Sequence, residues 1–143
     1  MPFSSLTAAR NAILIHFKTA WDAQTPPIPP VIYDDVAQEP PADGSVWVRV
    51  SVKHSANGQQ TLGAQGNRRF GRIGIVVVQV FTPYGGGLTA NDIFAKVAVD
   101  AFEGKSTAPD AVTFSNVRSN EIGQSGDWFQ TNVIAEFEYD EIK

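Results

Sequence analysis

Hydrophobic residues recur along this chain with two periods, and the places where the period changes mark its elements. In SSLTAARNAILIHFKTAWDA, at about 100° per residue, Leu6, Ala9, Ile13, Phe17, Ala20 and Trp21 fall on one side, with Asn11, Lys18 and Asp22 opposite. That stripe predicts an amphipathic helix capped at Ser4 or Ser5. Ile15 points out with the polar set; a lone exposed isoleucine is ordinary on any surface, and the alternative is a contact with another chain. TPPIPP ends the helix, because each proline removes a backbone donor and bars helical φ/ψ from the residue before it.

The period then drops to two. VIYDD reads as at most a short edge strand, and AQEPPADG as a second turn-rich connection. In SVWVRVSVKH, Val46, Val48, Val50 and Val52 alternate with Trp47, Arg49, Ser51 and Lys53, which predicts a strand with one face on the core and the other on water or a partner. RIGIVVVQVF is apolar on both faces, Ile73, Ile75 and Val77 against Val76, Val78 and Val80, and so predicts a central strand. The stretch between them, SANGQQTLGAQGN, is too long for a tight turn, and Leu62 is its only large apolar residue. Loops of that length are usually functional or flexible.

TANDIFAKVAVDAFEGK predicts a second helix. Thr89 with Asp92 three residues on makes a start resembling a capping box, and Gly104 a stop. Asp92, Lys96, Asp100 and Glu103 form a narrow polar stripe, leaving an apolar arc of about 240°. One sheet face covers less than that, so the first helix or a neighbouring subunit must take the excess. The last segment, AVTFSNVRSNEIGQSGDWFQTNVIAEFEYDEI, reads as a hairpin turning at GQSGD, with Val133, Ala135, Phe137 and Tyr139 on the core face and Asn132, Ile134, Glu136 and Glu138 on the other. The order α-β-β-β-α-β-β predicts an α+β fold, two helices on a mainly antiparallel four- to five-stranded sheet, with residues 1–143 as a single domain.

Composition narrows the function. With 43% hydrophobic and 18% charged residues the chain is that of an ordinary globular protein. Its net charge of -4 argues against broad, sequence-independent nucleic-acid binding, which needs many Lys and Arg contacts to phosphate. The absence of cysteine removes disulfides and thiolate metal sites. No apolar run is long enough to span a membrane, and MPFSSLTAAR lacks the basic start and apolar core of a signal peptide.

One motif suggests chemistry. Gly85-Gly86-Gly87-Leu88-Thr89-Ala90 fits the dinucleotide pattern G-x-G-x-x-A, and Asp110 lies at roughly the offset of the ribose-binding acid. The context opposes it: an antiparallel hairpin follows, no second βα unit exists, and no Gly-Lys-Ser/Thr ending makes a phosphate loop. Tyr84 to Leu88 therefore reads as a strand-to-helix turn. His16 and His54 are far apart and have no Cys to complete a metal set. Glu136 and Glu138 line one strand face, a solvated surface by pattern and a cation-holding one by the sharper reading. No serine sits in a nucleophile elbow. No catalytic, cofactor or metal residue is assigned. Arg68, Arg69 and Arg72 cluster where the polar loop re-enters the sheet. They either pair with the acidic strand or offer an electrostatic contact, to an acidic protein ahead of passing DNA given the net charge.

ARNAILIHF, the Pro-rich turn, RFGRIGIVVVQVF, the Gly-rich turn and FAKVAVDAFEGK together resemble, in order and size, the tail-terminator proteins of phages with long non-contractile tails. The resemblance covers most of the chain, with soft motifs and no catalytic signature. It implies a virion protein at the head-proximal end of the tail, assembled in the host cytoplasm. There six copies form a ring that caps the tail-tube protein, stops its polymerisation and docks head-completion or neck proteins, while genomic DNA passes through the lumen without specific binding. Within that frame, Asn57, Gln59, Gln60, Leu62, Gln65, Arg68, Arg69 and Arg72 are expected to reach the tube or the lumen. Ile15, Trp47, Arg49, Phe94, Ala98 and Phe102 are expected at the subunit contact, since a heterologous ring joins two unlike patches. The alternatives are another head–tail connector or neck adaptor and, from a different class, a small ligand-binding or enzymatic domain using Gly85–Gly87.

Overall fold

A computed structural model describes residues 5–24, 26, 28–33, 39, 41, 44–59, 61–107 and 112–142. The elements follow the expected order: α1 (Leu6–Asp22), β1 (Val31–Tyr33), β2 (Trp47–Gln59), β3 (Arg69–Pro83), α2 (Thr89–Phe102), β4 (Val112–Ser125) and β5 (Trp128–Ile142). The fold is α+β, a five-stranded sheet in the order β1-β2-β3-β5-β4. β1 runs parallel to β2, and every other neighbour pair is antiparallel. Because β3 and β4 are both antiparallel to β5, they run parallel to each other with β5 inserted between them.

Both helices pack on one face of the sheet. Ser5 caps α1, its Oγ accepting the Ala8 N–H at 3.1 Å. Ala9, Ile13, Phe17 and Trp21 are buried as the stripe predicts, whereas Leu6, in the first turn, stays exposed. Phe17 stacks on Trp21 and on Phe102 of α2, with ring centres 5.4 and 5.8 Å apart. The Trp21 indole N–H donates to the Pro29 carbonyl at 3.0 Å, folding the Pro-rich segment back along the helix. Below them lie Val48 and Val50 of β2, Val76, Val78 and Val80 of β3, and Val133, Ala135 and Phe137 of β5. Each buried large side chain contributes about 2 kcal/mol.

The excess apolar arc of α2 is taken by α1. Ala98 and Phe102 are fully buried in that core, and His16 Nε2 donates to the Ala101 carbonyl at 2.7 Å across the helix pair. The capping box does not form: the N-cap is Leu88, without a side-chain cap, and Thr89 is already the first helical residue. Asn91 anchors the helix start instead. Its Nδ2 donates to Thr82 Oγ1 at 3.1 Å and to the Phe129 carbonyl at 3.3 Å, and its Oδ1 accepts from Thr131. Those bonds tie the first turn to β3 and β5 at once, and they satisfy a buried amide that would otherwise cost stability.

The Gly-rich stretch is the turn from β3 into α2. Gly85 and Gly87 hold φ of 93° and 85°, a left-handed backbone that side-chain-bearing residues avoid. The Tyr84 N–H donates to the Asp127 carbonyl at 3.0 Å, clamping this turn against the β4–β5 turn.

Candidate functional site

The β2–β3 hairpin is longer than the pattern of Val46–Val52 suggests. Pairing runs on past Lys53 to Gln59 opposite Phe70, so Asn57 and Gln59 belong to β2 and not to a loop. A bulge between His54 and Ala56 shifts the register, which changes the face each later residue presents. Residues 55–70 form an arm whose described side chains are mostly exposed. Leu62 at its tip is 98% exposed, and Gln65 is exposed beside it. From Ser55 to Asn67 the arm carries no charge. Gln60 and the Asn57 side chain lie outside the described residues, as do Asp110, Ser4 and much of the second Pro-rich connection.

The three arginines at the foot of the arm have separate roles. Arg68 Nε donates to the Gly63 carbonyl at 2.9 Å, closing the tip on itself. Arg69 pairs with Asp140 at 3.1 Å on the surface. Arg72 is buried, with Nε donating to Glu141 Oε2 at 3.0 Å and the guanidinium lying 5.4 Å from the centre of the Phe70 ring. The expectation that Arg72 reaches the tube or the lumen is therefore corrected: a strand position facing the helix layer needs an internal counter-charge, and β5 provides it.

Beside that pair, His54 Nε2 lies 2.6 Å from Tyr139 Oη, and His54 Nδ1 lies 3.5 Å from Arg10 Nη2 of α1. The imidazole is edge-on to Phe137 and Tyr139. Burial first, then the charges of Arg10 and Arg72, hold its pKa below the usual histidine value. Burial, reinforced by Glu141, raises that of Tyr139. The backbone is tightest at Gly74, where an added Cβ would come 2.1 Å from the Lys53 carbonyl oxygen and 2.7 Å from the Phe137 ring.

Among the described residues, no helix covers the other face of the sheet. Down β3 it carries Ile73, 44% exposed, and half-buried Ile75 and Val77, flanked by Ile134 of β5. Arg49 and Lys53 lie on the β2 side, and Glu136 and Glu138 on the β5 side. Arg118 pairs with Glu136 at 3.1 Å. A hollow of about 230 Å³ opens between Ser55, Ile75, Ser115 and Glu138.

The residues expected at a subunit contact divide. Ile15 is 66% exposed on α1, and Arg49 is half-buried with its guanidinium 5.3 Å from the centre of the Trp47 ring. Phe94 is half-buried against Trp21. Trp47 lies on the helix-free face but is only 3% exposed, stacked on Phe81 at 4.1 Å with Trp128 edge-on and Ile32 adjacent. Ala98 and Phe102 belong to the core. Trp47, Ala98 and Phe102 are covered by their own chain, and of the expected set Ile15, Arg49 and Phe94 keep exposed surface. Sequence reading did not single out His54, Gly74, Asn91, Tyr139 or Glu141 as a connected set, because the partners are distant in the chain. Among the described residues, no three His, Asp or Glu side chains converge to hold a metal ion, and no helix is long and apolar enough to cross a membrane.

No curated protein matches the sequence. Among solved structures, one that carries no functional name superposes with a TM-score of 0.64 at 17% identity, covering 91% of this chain and 94% of the other, a likeness of fold. A sequence family described as phage tail terminator protein matches residues 8–135, from the first turn of α1 to the middle of β5. The match takes in both helices, the β2–β3 arm and the split β3-α2-β4 crossover, and the chain belongs to the phage tail terminator family, a family of structural proteins of the phage tail.

Proposed function

We infer that this protein ends the growth of the tail tube by capping it as a ring of six copies at the head-proximal end, and that the ring then receives the head-completion proteins. The observation that carries this reading is the family match over residues 8–135. Two features of the fold support it. The arm presents an uncharged, hydrogen-bonding surface with Leu62 exposed at its tip, which suits a protein partner better than a polyanion. The helix-free sheet face carries an apolar stripe of Ile73, Ile75 and Val77 with basic and acidic groups on opposite sides. A heterologous ring needs unlike patches of this kind on each copy. In this reading Gln59, Leu62 and Gln65 meet the tube, while Ile15, Arg49 and the stripe meet the neighbouring copy.

The test is electron microscopy of tails assembled with this gene deleted from the phage genome. Overlong, headless tails that return to normal length when the gene is supplied support the terminator reading. Tails of normal length that fail to join heads would move the protein to the neck, and normal infectious particles would remove both roles.

A further inference from the structure

The arm joins the body of the molecule at a polar cluster, and the cluster's geometry favours one tautomer of His54. Arg10 on α1 approaches His54 Nδ1 at 3.5 Å, and a guanidinium has only donors to offer. That approach favours Nδ1 as the accepting nitrogen. The ring proton sits on Nε2, which donates to Tyr139 Oη at 2.6 Å. The neutral ring thus bridges α1, β2 and β5 at the residue where the bulge begins. The groups acting on it are Arg10 from α1, Tyr139 from β5 and Arg72 from β3, itself paired with Glu141; Lys53, its neighbour in β2, points to the other face.

We propose that His54 is an acid-released latch for the β2–β3 arm: the neutral ring ties the arm's root to α1 and β5, and protonation of Nδ1 expels Arg10 and loosens residues 55–72. A proton on Nδ1 turns the acceptor that faces Arg10 into a donor. It also adds a third positive charge beside Arg10 and Arg72, the two cations that already act on the ring. At Gly74 and the bulge the backbone is close-packed, and the ring contacts to Phe137 and Tyr139 add to the strand pairing that holds the join. The latch is a property of the single chain and holds whatever the arm touches.

Hydrogen–deuterium exchange of the full chain, corrected for the intrinsic pH dependence of amide exchange, tests this from pH 7.5 down to the pH at which the His54 ring is protonated. The two histidine rings are followed by NMR in the same samples. Wild-type protection at residues 56–59 and 69–72 is expected to fall about tenfold or more as His54 titrates, while β3–β5 pairing near Val78 stays protected. His54→Gln replaces the ring with an uncharged group that has one acceptor and one donor, and it is expected to keep arm protection nearly equal at the two pH values. Arm protection that survives His54 protonation in the wild type would overturn the proposal, and so would an equal loss in His54→Gln.

Discussion

Gly74 shows how one missing side chain sets the arm's root. Because a Cβ there would meet the Lys53 carbonyl and the Phe137 ring, Gly74→Ala is expected to cost about 3 kcal/mol in denaturant unfolding, whereas the same change at exposed Gly58, with open space around it, should cost well under half as much. Equal losses at the two sites would contradict this account. Arg72 makes the complementary case for charge. Its removal as Arg72→Ala takes the cation from a carboxylate that is itself nine-tenths buried, so a loss of about 3 kcal/mol is expected by the same measurement. The surface pair Arg69–Asp140 should contribute below about 1 kcal/mol. His54 links stability to pH. Its folded pKa lies below the ordinary 6.5, so the unfolded chain takes up the proton first. The contribution from a neutral His54 is therefore complete above that ordinary value and is lost as pH falls toward the lowered one. Denaturation midpoints of the wild type should drop on going from pH 7.5 to pH 5 by more than those of His54→Gln.

At the scale of elements, the anchoring of α2 rests on one amide. Asn91→Leu keeps the volume but leaves the Thr82 and Thr131 hydroxyls without their buried partner, and a loss of about 2 kcal/mol is expected in thermal or denaturant unfolding. A cost near zero would mean that the hydroxyls find other partners. Much of the element plan was legible from residue types. The stripe Ala9, Ile13, Phe17 and Trp21 is spaced for a helix face and is buried as one, and β3 is apolar on both faces because it sits in the middle of the sheet. The far half of β2 was not legible. Ser55 to Gln59 carry no alternation of their own, and they are held in a strand by pairing with Phe70–Ile73 on a partner that their sequence does not announce. Burial of Arg72 was hidden for a similar reason, since Glu141 lies 69 residues away. Trp47 alternates as an outward residue should; what covers it, Phe81 and Trp128, comes from two other strands. The capping box was misread because Thr89 and Asp92 have the right spacing one position too late for the helix start.

At the scale of the whole molecule, the helix-free sheet face separates folding from assembly. Ile73 is 44% exposed, so Ile73→Asp should leave the unfolding midpoint of the isolated chain nearly unchanged. In the ring reading it should also prevent complementation of the deletion phage, and normal tail length with the variant would exclude the stripe from the assembly surface. Replacing the arm's apex, residues 58–69, by a two-residue turn is expected to be similarly mild on stability and severe on tail length.

The insertion of β5 between β3 and β4 has a further consequence, in time rather than in space. β3 is complete long before β5, yet its edge opposite β2 gains its neighbour only when β5 has been made, and β4, which ends just ahead of β5, waits for the same strand. The register of the central sheet is thus decided only once β5 has been made, across the whole of α2 and β4, and pairing so distant in sequence makes refolding slow, on the order of milliseconds to seconds. A chain stopped after Ser125 should show no cooperative unfolding transition by circular dichroism. In the terminator reading, a nascent subunit without β5 then offers no finished surface to a growing tail.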